Sequence, residues 1–138
     1  MHTLIPLLVF ALVIGSTATV MAQAPQGSPA GTATLALNGK ALEIRYSAPS
    51  VRGRQIFGEG GLLSKDPTAW ELVVNRQTGQ WGLSYDASRD VGRVRMTMAR
   101  PPAMVETLKY TLTDKGSGNG ELRLEWENHV ATVPIAAK

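Results

Sequence analysis

Cysteine is absent from the 138 residues. That excludes disulfides, iron–sulfur clusters, thiolate zinc sites, thiol nucleophiles and lipid attachment through a cysteine. Histidine is nearly absent. Of the two, His2 lies in the amino-terminal apolar segment, so a polyhistidine metal centre is excluded and no metal is expected. A strong excess of one charge is also missing: 14 Lys and Arg against 11 Asp and Glu give a net charge of +3. With so small an excess, and no aromatics interleaved among the arginines, nucleic-acid binding is not expected. No Gly-x-Ser-x-Gly, His-Glu-x-x-His or phosphate-binding glycine loop occurs, and no cofactor is expected.

What is present fits one globular domain: 43% of residues are hydrophobic and 18% charged. Residues 4–14 form an uncharged apolar run with the length of a signal-peptide core, and Val20-Met21-Ala22 offers the small residues a signal peptidase inspects. We read residues 1–22 as a cleaved leader and expect export, to the periplasm or outside the cell. As an uncleaved anchor the stretch is at the short limit for a span, and Pro6 and Gly15 interrupt it. No other segment is apolar enough to cross a membrane. Residues 23–31 are rich in Pro, Gly and Ser and read as a flexible linker, which leaves residues 32–138 as the domain.

From Thr32 onward the hydrophobic period is two, the mark of half-buried strands. Residues 32–37 and 40–47 flank Asn38-Gly39, a two-residue type I′ hairpin signal. That turn sets Leu35 opposite Leu42 and Ala33 opposite Ile44. Residues 69–75 put Trp70, Leu72 and Val74 on one face, and Trp81, Leu83 and Tyr85 alternate beyond a loop. A strand over residues 91–99 points Val94, Met96 and Met98 inward, until Arg100-Pro101-Pro102 stops it. Leu108, Tyr110 and Leu112 alternate next. Residues 114–120 read as a polar turn, and residues 102–107 as the one place for a helical turn. Leu122, Leu124 and Trp126 alternate with Glu121, Arg123, Glu125 and Glu127. Ala131, Val133 and Ile135 close the chain. About eight strands at this spacing predict an all-β fold, an antiparallel β-sandwich or jelly roll.

Three blocks carry a family resemblance. They are residues 46–58 (Tyr-Ser-Ala-Pro-Ser-Val-Arg-Gly-Arg-Gln-Ile-Phe-Gly), residues 70–82 (Trp-Glu-Leu-Val-Val-Asn-Arg-Gln-Thr-Gly-Gln-Trp-Gly) with Tyr85-Asp86 and Asp90-Val91 after them, and residues 122–135. In these the chain resembles the exported bacterial family called domain of unknown function 2911, from about Thr32 to its end. Members of that family carry a further stretch between the first two blocks. Here Ala69 runs directly into Trp70, so the chain is similar to a member with an internal deletion. The resemblance implies export and a β-rich fold, and no particular activity.

Candidate sites each have a structural alternative. In Ser50-Val51-Arg52-Gly53-Arg54 both guanidiniums can converge on one anion; the alternative is a solvated turn with the arginines paired to Glu43 or Glu59. Arg89, Arg93, Arg95 and Arg100 form a second basic group. They read as a solvated face, or as one that meets anionic lipid, cell-wall polymer or glycan sulfate. Trp70, Trp81, Trp126, Tyr46, Tyr85 and Tyr110 fall at in-facing strand positions, which favours packing over a ligand groove. Glu125 and Glu127 share a strand face, Asp86 and Asp90 bracket a turn, and His129 is the sole histidine after the leader. None of these assembles a recognisable catalytic constellation. The resulting expectation is a non-enzymatic exported domain that binds a partner or a small anionic ligand or glycan through Arg52, Arg54, Trp81 and Tyr85. A carboxylate/His129 hydrolase-like enzyme and a structural envelope module are the alternatives.

Overall fold

The computed structural model describes residues 27–63, 70–79 and 84–138. The leader expected at residues 1–22 lies outside them. β1 (Ala30–Leu37) and β2 (Lys40–Ser47) form the expected hairpin, with Leu35 opposite Leu42 and Ala33 opposite Ile44. β1 thus begins two residues inside the segment read as a linker. Asn38 (φ 48°) and Gly39 (φ 75°) both occupy the left-handed region that a type I′ turn demands.

β3 (Glu71–Asn75) pairs with β4 (Asp90–Arg95) as a separate two-stranded ribbon. β5 (Thr97–Ala99), β6 (Val105–Gly116), β7 (Asn119–Glu127) and β8 (His129–Ala136) make a four-stranded sheet in the order β5-β8-β7-β6. All pairings between these strands are antiparallel. Met96, Leu122, Ala131 and Val133 are buried on one face of that sheet, and Ile44 from β2 and Leu72 from β3 pack onto them. The hairpin and the ribbon therefore close over the sheet as a second layer, as an all-β domain requires. Tyr46 fixes one corner. Its ring meets Tyr110 edge-on at 4.8 Å, and its hydroxyl accepts the Tyr110 N–H at 3.2 Å.

Four expectations need correction. The strand over residues 91–99 breaks at Met96, because the chain stops pairing with β3 and starts pairing with β8, Thr97 lying opposite Thr132. Met96 is buried at the crossing, whereas Val94 lies beyond the sheet and is 42% exposed. The polar turn at residues 114–120 is shorter than expected. β6 runs on to Gly116, and only Ser117 (φ 54°) and Gly118 (φ 73°) turn. The one helical turn among the described residues is a 3-10 turn at Ala87–Arg89, not at residues 102–107. Asp86 caps it by accepting the Ser88 N–H at 2.9 Å. Tyr85, expected in-facing, is 55% exposed and outside any strand. Trp81 and Leu83 lie outside the described residues.

The hairpin turn gives a direct check. An added Cβ at Gly39 meets nothing within 4 Å, so Gly39→Val acts only through the backbone. A β-branched residue resists positive φ, and the variant should lose about 1–2 kcal/mol in chemical denaturation. A neutral result would mean that the turn is not type I′.

Candidate functional site

The loop that carries Arg52 and Arg54 is pinned from both sides. Val51 and Ile56 are 4% and 0% exposed, and Phe57 is buried beside them. The Val51 N–H donates to the Glu106 carbonyl at 2.8 Å, and the Leu108 N–H to the Pro49 carbonyl at 2.9 Å. Residues 49–51 thereby cover the outer edge of β6. Arg52 (φ 50°) and Gly53 (φ 68°) then turn the chain, so the two arginines do not lie on one extended segment. The Arg54 guanidinium folds back, donating from Nε to the Val51 carbonyl at 3.0 Å and from an Nη to the Ser50 carbonyl at 2.7 Å. The Arg52 N–H donates to the Glu106 carboxylate at 2.7 Å. Glu43 pairs with Arg45.

Tyr85 belongs to a different group of residues, at the open end of the ribbon. Its hydroxyl donates to Asp90 Oδ2 at 2.7 Å and accepts from Arg93, whose Nε also donates to Asp90 at 2.8 Å. Asn75 Nδ2 reaches the other Asp90 oxygen and the Asp86 carbonyl, each at 2.8 Å. The Tyr85 hydrogen bond leads in holding the Asp90 carboxyl below its ordinary range, with Asn75 and Arg93 adding to it. The same bond raises the Tyr85 phenol. These groups organise the ribbon's loop.

Aromatic rings gather where the docked loop meets the β7–β8 hairpin. Phe57 lies 4.8 Å from Trp70, 5.5 Å from Trp126 and 4.7 Å from His129, centroid to centroid. The His129 imidazole also stacks on Trp70 at 5.8 Å. Glu127, expected on the polar face, is instead buried, because it ends β7 at the hairpin turn and its left-handed backbone (φ 53°) breaks the strand alternation. Its carboxylate accepts the Ile56 N–H at 3.2 Å. The other Glu127 oxygen stands 3.8 Å from His129 Nδ1, which is buried and makes no hydrogen bond. Burial pushes the imidazole below its ordinary pKa; Glu127 works against this and Arg100 reinforces it. Burial thus disfavours the charged imidazole, and with it an ion pair with Glu127. Glu125, by contrast, pairs with Arg123 at 3.0 Å. Sequence reading named His129 and missed Glu127 as its neighbour. The available signal was the position of Glu127 next to Asn128, where a hairpin turn suspends the alternation.

The ribbon leaves apolar surface in solvent: Val74 is 53% exposed and Val91 56%, beside Val94 and Tyr85. Five of the six β4 residues are exposed. The Met96 N–H bonds to the Trp70 carbonyl, and the Arg76 N–H to the Arg89 carbonyl. Antiparallel alternation then turns the backbone groups of Leu72 and Val74 toward β4, and those of Glu71, Val73 and Asn75 outward. Among the described residues no strand pairs with that outward side. Two shallow grooves of about 540 and 470 Å³ flank the end of β8, and none of Arg52, Arg54 and Tyr85 lines either.

These features define a small all-β domain of antiparallel sheets, with an aromatic cluster around one buried carboxylate and, among the described residues, an unpaired outer edge on β3. Residues 62–135, just over half of the chain, match the family model described as "Protein of unknown function (DUF2911)". The chain belongs to that family. No curated protein and no solved structure matches it. Among the described residues no helix is long and apolar enough to cross a membrane.

Two measurements check the buried cluster. Glu127→Ala leaves the N–H of the fully buried Ile56 without its acceptor and should cost about 1–3 kcal/mol. Glu127→Gln keeps an acceptor oxygen and should cost less. Equal losses would show that the Ile56 bond is not the reason for the burial. The second concerns pH. A histidine with a depressed pKa in the folded state takes up its proton more readily when unfolded. Its contribution is full above the unfolded value of about 6.5 and is lost as pH falls from there toward the folded pKa. Melting temperature should drop over that window, and His129→Phe should flatten the drop. A parent and variant with parallel pH profiles would contradict the assignment.

Proposed function

We propose that this chain is an exported, non-enzymatic binding domain that takes up an extended segment of its partner along the free edge of β3. The observation that carries the reading is the outward row of backbone N–H and C=O groups at Glu71, Val73 and Asn75, flanked by the exposed Val74 side chain. A row of this kind is a template for strand addition, in which main-chain bonds supply affinity and alternate side chains supply selection. Three groups with catalytic potential are otherwise engaged. Asp90 holds the ribbon loop, Arg54 its own carbonyls and Glu127 a core N–H. Binding of a small anion at Arg52 and Arg54 draws less support, because Arg54 is turned onto its own loop. The hydrolase-like alternative rests on the Glu127 and His129 couple, whose recorded surroundings are the rings of Phe57 and Trp70.

The test uses a fluorescein-labelled extended peptide with valine at alternate positions and lysine between them, titrated with dilute protein. Anisotropy should rise and saturate, and Val73→Pro should abolish the rise. That substitution removes an outward N–H and leaves the ladder to β4 intact. Absence of saturable binding, or binding indifferent to Val73→Pro, overturns the reading. Export is checked separately by N-terminal sequencing of the exported protein, which should begin at Gln23. An intact Met1 in the soluble exported fraction would contradict it.

A further inference from the structure

The geometry points to a second copy of this chain as an occupant of the β3 edge, forming a two-fold antiparallel β3–β3 pair centred on Val73. This inference rests on the strand-addition reading above and names its partner.

Register selects this pairing. A two-fold axis perpendicular to a sheet pairs residues whose numbers have a constant sum, and the sum must be even if paired side chains are to share a face. Centred on Val73, Val73 faces its own mate, Glu71 faces the partner's Asn75, and Leu72 faces the partner's Val74. The outward residues of β3 are Glu71, Val73 and Asn75. Every one of their N–H and C=O groups meets a partner in this register. Leu72 packs on the core and Val74 is exposed on the same ribbon face, so the pair extends the core's apolar face across the dyad. The only charge on the strand, Glu71, is set opposite an amide. Like charges are kept apart.

Neighbouring edges do not offer this. Self-pairing of β4 about its centre sets Arg93 against Arg93, or sets Arg93 against Val91 with Gly92 at the dyad, where it has no side chain to pack. The β6 edge is covered by residues 49–51 and the Tyr46 hydroxyl. β2 carries Lys40, Glu43 and Arg45 along its length. Lysine and proline are common guards of an exposed edge, and β3 has neither; its one charge is Glu71. Two five-residue strands bury less than the roughly 1,000 Å² of a standing interface. The dimer is therefore reversible and concentration-dependent.

The experiment is sedimentation velocity of the purified protein over a hundredfold concentration range, with single-cysteine variants as a register probe in a chain that has no cysteine of its own. The parent should shift from monomer toward dimer as concentration rises, and Val73→Pro and Val74→Lys should each remain monomeric. Under mild oxidation Val73→Cys should cross-link, because paired Cα atoms at the dyad lie about 5.5 Å apart, within disulfide reach. Glu71→Cys should not, since its mate is four residues along, about 14 Å away. A parent that stays monomeric throughout overturns the proposal. So does a dimer that survives Val73→Pro, or equal cross-linking at both positions. If the parent is monomeric while the labelled peptide still binds in a Val73-dependent way, strand addition stands and the second copy is not its partner.

Discussion

The N–H of Ile56 is fully buried, and its acceptor is a carboxylate 71 residues away in sequence, on Glu127. A buried amide left unbonded costs about as much as one or two well-made contacts stabilise. This bond therefore ties the loop at residues 49–57 to the β7–β8 hairpin. Much else depends on it. With the loop held there, residues 49–51 can lie along β6, and Phe57 can sit among Trp70, Trp126 and His129. The imidazole is enclosed as a result, and that burial lowers its pKa although an acid stands beside it.

The strand edges show how differently one chain can treat the same problem. At β6 a neighbouring segment and a tyrosine hydroxyl take up the outward groups. At β4 two arginines make like-charged approach unfavourable, while Asp90, Tyr85 and Glu71 engage one of them on the same ribbon. At β3 neither device is present among the described residues. An isolated two-stranded ribbon is marginal in water, and this one is held because Leu72 reaches the core and Met96 continues the chain into the main sheet. Among the described residues its far end gains no such support, and there Val74 and Val91 are exposed.

Much of the fold was legible because period two and turn chemistry are local. Asn38-Gly39 set the first hairpin and its register, and the alternation through Leu122, Leu124 and Trp126 placed one face of β7 correctly. The family was legible as well, through residue blocks that need no geometry to read. Where local rules conflicted with long-range pairing, the expectations failed. Residues 91–99 alternate as one strand, yet the chain changes partner at Met96, so Val94 continues the pattern without continuing the burial. Tyr85 alternates with its predecessors and still faces solvent, because Asp90 and Arg93 bind its hydroxyl there.

The sequence by itself determined the all-β class, the first hairpin, and the absence of thiol and polyhistidine chemistry, since each follows from composition or from residues within a few positions of one another. Only the tertiary structure decided that Arg54 would turn onto its own loop, that Glu127 would be buried against Ile56, and that β3 would have no partner on its outer side among the described residues. Each of these depends on which distant segment arrives alongside. Alternation says which side chains share a face, but it does not say what, if anything, will cover that face.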